Sequence, residues 1–269
     1  MIRARQSTRI ALVALLAAGL AGCGVIGGRG GPKTPTVGNR IPILSRIETG
    51  ARVDPDLAGV AVIMPPAEAN AEWAQAGGNA SKSYGHLALS GSPTRAWIAR
   101  VAGSGKKERL AAAPVVAGGT VYAMGTDGLV TAFSASNGAK LWSSSFGVSG
   151  DGSNTVFGGG VSYDNSRVYV ATGYGEVAAL DAGNGSQVWK VKPAGPLRGS
   201  PTVAFNSVYV MTQNNQIHAL NAADGARVWA ESGSIGQAGV FGVAAPAAGQ
   251  GTVIAGYSSG ELSAYRYEN

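Results

Sequence analysis

The sequence of 269 residues is poor in reactive and charged side chains: one cysteine, two histidines, and 21 basic against 15 acidic residues. A single cysteine excludes an intramolecular disulfide framework. With only His86 and His218 beside Cys23, no His/Cys zinc set can be assembled. Charged residues make up 13% of the chain, about half of average usage, which speaks against coiled coils and charged disordered tails. No apolar run reaches the roughly 18 to 20 residues that a membrane-spanning helix requires. The net charge of +6 does not point to nucleic acid, because Arg3, Arg5 and Arg9 supply half of it before the first acid, Glu48. Without them 21 − 3 = 18 basic residues face 15 acidic ones, and no Lys/Arg cluster with interleaved aromatics remains.

Glycine and apolar residues, by contrast, are plentiful: 42 glycines and a hydrophobic fraction of 45%, ample for a globular core. The chain opens on a positive stretch (Arg3, Arg5, Arg9), an apolar run from Ile10 to Leu20, and Leu20-Ala21-Gly22-Cys23. That order predicts a signal peptide over 1–22. The tetrad resembles a bacterial lipobox, which implies an acylated Cys23 as the mature N-terminus; the alternative is an ordinary secretory signal with an incidental cysteine. Several acyl chains on one residue give stable anchoring where one chain is marginal. Gly24 rather than Asp after the cysteine points to the periplasmic face of the outer membrane. Residues 23–66, rich in Gly and Pro, read as a tether. Ile41-Pro42-Ile43-Leu44 and Val60 to Met64 are expected to dock on the domain as edge strands.

Self-comparison gives the strongest signal. Val121-Tyr122, Val168-Tyr169, Val208-Tyr209 and Val253-Ile254 align at spacings of 47, 40 and 45 residues. Eleven residues after each valine stands an alanine (Ala132, Ala179, Ala219, Ala264), followed by Phe133, Leu180, Leu220 or Tyr265. Six residues beyond the first three alanines come Gly138, Gly185 and Gly225; ten beyond come Trp142, Trp189 and Trp229. Pro114, Pro201 and Pro246 precede three of the four valines by seven residues, with Val161 the exception. Each copy divides into short segments rich in Val, Tyr, Phe and Trp, separated by dipeptides such as Gly118-Gly119, Asp127-Gly128 and Asn137-Gly138 that suit tight hairpin turns. Four antiparallel strands every 40 to 47 residues predict an all-β chain of β-propeller blades, with repeats at about 113–146, 160–193, 200–233 and 245–269 in a domain spanning 67–269. The tryptophan falls on the outermost strand, where its bulk can pack between blades. The fourth copy stops before its turn glycine (270) and tryptophan (274), so about three and a half blades are expected in a chain cut within a blade.

Asp181-Ala182-Gly183-Asn184-Gly185-Ser186-Gln187-Val188-Trp189 and its relatives at 134–142 and 221–229 resemble the quinoprotein-type (PQQ-like) propeller repeat. With the lipobox, the tether and Trp73-Ala74-Gln75-Ala76-Gly77-Gly78-Asn79, the chain resembles the BamB (YfgL-type) family of outer membrane protein assembly lipoproteins. The resemblance implies the N-terminal part of an eight-bladed propeller, with the stretch around Trp97 as the strand that completes the last blade. It further implies a non-enzymatic scaffold of the β-barrel assembly (BAM) complex, with BamA and other BAM subunits as partners and unfolded outer membrane proteins as further ligands. The family docks on the periplasmic POTRA repeats of BamA through a Leu-Arg-Gly loop, which corresponds here to Leu197, Arg198 and Gly199. An exposed leucine beside an arginine on a rigid loop makes a small hot spot; read without the family, it is an inter-blade connection with one solvated arginine. Phe241 and Val243 stand where some members carry acids in the next loop. No cofactor is implied beyond the covalent lipid on Cys23.

Other chemistry is suggested and fails. Gly256-Tyr257-Ser258-Ser259-Gly260 matches a nucleophile elbow, but it falls in a hairpin turn and no histidine follows His218. Gly103-Ser104-Gly105-Lys106-Lys107 misses phosphate-loop spacing, with Arg100 in place of the first glycine. Asp151-Gly152-Ser153-Asn154 offers oxygens that suit calcium, but a fragment of a loop does not make a calcium site. Arg95, Arg100, Lys106, Lys107 and Arg109 read as a solvated basic edge, and His218 as a packing residue or an exposed strand position. Two other functions share the fold class: a PQQ-dependent quinoprotein dehydrogenase, which needs calcium ligands and often adjacent cysteines, and an envelope propeller binding glycan or peptide.

Overall fold

The computed structural model describes residues 54–57, 59–103, 113–146, 158–234 and 245–268. Cys23, the leader and Ile41–Leu44 lie outside these residues, as do Asp151–Asn154, Lys106, Lys107, Arg109, Phe241 and Val243. The chain divides into two compact units, Met1–Val62 and Ile63–Asn269. In the first, the described chain holds one 3-10 turn, Pro55–Leu57, closed by Leu57 N donating to Asp54 O at 3.0 Å. Val60, Val62, Ile63 and Met64 belong to no strand and are 62%, 86%, 91% and 61% exposed, so the expected edge strand is not formed.

In the second unit the described strands form four antiparallel sheets. The first holds β1 (Val115–Ala117), β2 (Thr120–Met124), β3 (Leu129–Ser134) and β4 (Lys140–Ser145). The second holds β5 (Gly159–Asp164), β6 (Arg167–Thr172), β7 (Val177–Asp181) and β8 (Gln187–Val191). The third holds β9 (Thr202–Ala204), β10 (Ser207–Met211), β11 (Gln216–Asn221) and β12 (Arg227–Ser232), and the last holds β13 (Ala247–Gly249), β14 (Thr252–Gly256) and β15 (Leu262–Arg266). Within every sheet the spatial order follows the sequence, as expected of strands joined by hairpins. These are successive blades of an incomplete β-propeller.

Turn chemistry explains why the chain breaks where it does. The first hairpin of each blade needs two consecutive residues at positive φ, supplied by Gly118-Gly119, Asn165-Ser166, Phe205-Asn206 and Gln250-Gly251. In the last hairpin of each complete blade, one extra residue on the outer strand breaks register between Ala132/Phe133, Ala179/Leu180 and Ala219/Leu220. The skipped residues are Leu141, Val188 and Val228, which stand 54%, 46% and 50% exposed. Such a bulge re-aims its neighbours, and the neighbour in each case is the repeat tryptophan.

The core lies between blades. Tyr122, Val130 and Ala132 of the first blade pack with Val161, Val168 and Leu180 of the second. Tyr169, Val177 and Ala179 of the second meet Val208, Val210 and Leu220 of the third, and Tyr209, Ile217 and Ala219 of the third meet Ala248, Val253 and Ala255 of the fourth. On the fourth blade the equivalent outward positions, Ile254 and Leu262, are 41% and 74% exposed, so the sheets do not close a ring.

Candidate functional site

Three constructions organise the blades. The first is a strap over the inner strands. Trp73 exchanges backbone hydrogen bonds with Val116 of β1 (2.7 and 2.9 Å), Ala74 O accepts from Tyr163 N of β5 (2.7 Å), and Ala80 O accepts from Ala248 N of β13 (2.8 Å). Gln75 serves β9 with its side chain: Nε2 donates to Val203 O at 2.8 Å and Oε1 accepts from Val203 N at 3.0 Å. At 4% exposure this carboxamide substitutes for a strand in satisfying buried backbone groups. The strap is the Trp-Ala-Gln-Ala-Gly-Gly-Asn stretch that carried the family resemblance, extended by Ala80; its bonding to four blades was not legible in the sequence.

The second is a tryptophan ladder. The indole Nε1 of Trp97, Trp142, Trp189 and Trp229 donates to Ala135 O, Ala182 O, Ala222 O and Tyr267 O at 2.8, 2.9, 3.0 and 3.0 Å. These acceptors occupy one position of the repeat. The first three rings lie on Gly138, Gly185 and Gly225, where a Cβ would come within 2.6, 2.4 and 2.7 Å of the indole carbons. With φ of +73°, +74° and +78°, those glycines are required twice over, for the turn and for the approach of the ring. Trp97 thus stands on the first blade as Trp142 stands on the second. Its own stretch has no strand partner among the described residues.

The third is the rim at Leu197, Arg198 and Gly199. Here the structure departs from the expected exposed hot spot. Leu197 is 0% exposed, bridges to Thr212, and packs among Tyr169, Ala171 and Val203; Gly199 is buried as well. The reason is that residues 196–198 extend the edge of β10: Arg198 N donates to Met211 O and Gln213 N to Pro196 O, at 2.9 and 2.8 Å. Extension along an edge turns alternate side chains inward, and Leu197 takes the inward position. Arg198, 9% exposed, spends its guanidinium on its own rim, with Nε donating to Thr212 O (3.1 Å) and Nη2 to Gln213 O (2.8 Å) and Asn215 Oδ1 (3.3 Å). The solvent-facing part of this rim is made of Gly195, Pro196, Asn214, Ser234 and Gly260.

Tyr257–Gly260 is the hairpin turn between β14 and β15, closed by Gly260 N on Tyr257 O at 3.0 Å. Arg95 and Arg100 are exposed. Among the described residues no His/Cys/Asp/Glu group could hold a metal ion, and no helix is long and apolar enough to cross a membrane. His218 is a packing residue at 4% exposure, and neither ring nitrogen has a hydrogen-bond partner. Burial, reinforced by Arg227, pushes its imidazole below the ordinary value of 6.5. As pH falls through that value the unfolded chain binds the proton first, so stability present at neutral pH is lost on acidification. Melting temperature is therefore expected to fall between about pH 7.5 and about pH 5.5, and His218→Leu to flatten that part of a thermal-melt profile.

The family model described as outer membrane protein assembly factor BamB matches residues 74–156 and 126–269. Outer membrane protein assembly factor BamB of Escherichia coli (strain K12) is 34% identical over 116 residues, 41% of this chain and 29% of that protein. The Salmonella typhimurium protein of the same name is 34% identical over 95 residues, 34% of this chain and 24% of its own. The chain therefore spans less than a third of the length of these curated relatives. Among solved structures, BamB from Moraxella catarrhalis aligns with a TM-score of 0.49 and 24% identity, covering 58% of this chain and 45% of that one.

Proposed function

The chain belongs to the outer membrane protein assembly factor BamB family, and from that premise we propose that it is a non-enzymatic scaffold of the BAM complex, assisting insertion of β-barrel proteins into the outer membrane. The observation that carries this reading is the family match, which takes in the strap from Ala74 onward and all four blades. Residues 1–22 are the signal peptide, and Cys23 carries the lipid that holds the protein on the periplasmic face of the outer membrane. BamA is the partner, engaged through its POTRA repeats. Docking uses the rim built on Leu197, Arg198 and Gly199, with a division of labour taken from their burial. Leu197 and Gly199 shape the rim from within, Arg198 braces it, and the exposed tips at Pro196 and Asn214 make the contact. A rigid loop on a packed scaffold is where binding surfaces are commonly found.

The lipidated full-length protein is expected to co-purify with BamA from detergent-solubilised membranes, and its deletion to lower outer-membrane barrel protein levels. Normal barrel levels with no co-purification would return the protein to the glycan- or peptide-binding alternative.

A further inference from the structure

We propose that Asn215 is the positioning residue of this rim, holding three separate connections of the third and fourth blades in one docking geometry; this rests on the docking reading above. The repeat itself singles the residue out. Asn215 occupies the turn position held by Gly128, Gly175 and Gly260 in the other blades, all at positive φ: +73°, +90° and +88° against +61° for Asn215. Asparagine is among the few L-residues that enter the left-handed region readily, so it can replace glycine here and add a side chain. Its partner departs from the repeat too, since Arg198 stands where the second blade has Gly158 and the fourth has Val243.

The side chain does what glycine could not. Asn215 is 3% exposed, and its Oδ1 accepts from Arg198 Nη2 (3.3 Å), from Ser258 N (3.2 Å) and from Ser258 Oγ (2.8 Å). Its Nδ2 donates to Ser234 O at 2.8 Å, and its backbone carbonyl accepts from Gly233 N at 2.8 Å. One carboxamide therefore joins the connection entering the third blade, the end of that blade beyond β12, and the β14–β15 turn of the fourth. Glu261 Oε2 completes the seam by accepting from Ser234 N at 2.8 Å. A buried amide with both ends satisfied fixes geometry as well as adding stability.

Asn215→Gly keeps the left-handed backbone while deleting the carboxamide. In the full-length protein the melting temperature is expected to fall, but by less than for Arg198→Glu. Amide exchange at Arg198, Ser234 and Ser258 is expected to rise about tenfold, with weaker binding to the BamA POTRA repeats. Asn215→Asp keeps the acceptor for Arg198 and Ser258 but loses the donor to Ser234 O, so the rise should then concentrate at the end of β12. Unchanged exchange at those amides in both variants would overturn the proposal. So would faster exchange with unchanged affinity, provided that Asn214→Arg in the same assay abolishes capture. If Asn214→Arg also leaves capture intact, it is the docking reading that fails.

Discussion

Arg198→Glu is expected to destabilise the chain by about 3 kcal/mol or more, because it sets a carboxylate against acceptors and leaves them without their donor. The guanidinium it replaces is 9% exposed and donates to Thr212 O, Gln213 O and Asn215 Oδ1. Arg198→Lys keeps the charge but not the planar fork, and should cost about 1 to 2 kcal/mol. Urea melts of the purified protein measure both. The consequence for function is direct: loss of partner capture by Arg198→Glu reports a disordered rim rather than a missing contact. A melt indistinguishable from wild type would show that the guanidinium is not spent internally.

Gly185→Ala is the other large effect. Its φ of +74° adds a conformational cost of about 1 to 2 kcal/mol for an L-residue. The new methyl would lie 2.4 Å from the Trp142 ring, against a neighbour that is itself clamped by Ala182 O at 2.9 Å. Moving the indole sacrifices that bond and its packing on Tyr122, for a total of about 3 kcal/mol. Trp142 is 8% exposed, so its release should also red-shift tryptophan emission. Gly195→Ala is the matched control: nothing lies within 4 Å of its would-be Cβ, and stability should change by less than about 0.5 kcal/mol. Equal melts for the two variants would contradict the seat described for the ladder.

The blades were legible in the sequence because their determinants are local and repeated. A Gly-Gly or Asn-Gly pair, a period-two run and a tryptophan at a fixed offset lie within one hairpin or the next. The strap was not legible, since Gln75 bonds a backbone 128 residues away and backbone acceptors carry no sequence signature. The burial of Leu197 is hidden from the sequence for a related reason. Its tetrad looks like any exposed connection, and only the pairing of residues 196–198 with the end of β10 turns the leucine inward. Val60 to Met64 show the converse, an apolar run that forms no strand. Asn215 is legible in the repeat: an asparagine in a column of glycines marks a place where a side chain has been added to a left-handed turn.

Docking through one defined rim is tested most directly by affinity for the BamA POTRA repeats, measured for three proteins of matched melting temperature. These are the wild type, Asn214→Arg at the exposed tip beside Arg198, and Ser136→Arg on an exposed turn at the opposite end of the strands. The expected result is binding by wild type and Ser136→Arg, with Asn214→Arg weakened by at least about tenfold. Equal binding by all three, or a loss confined to Ser136→Arg, would contradict it.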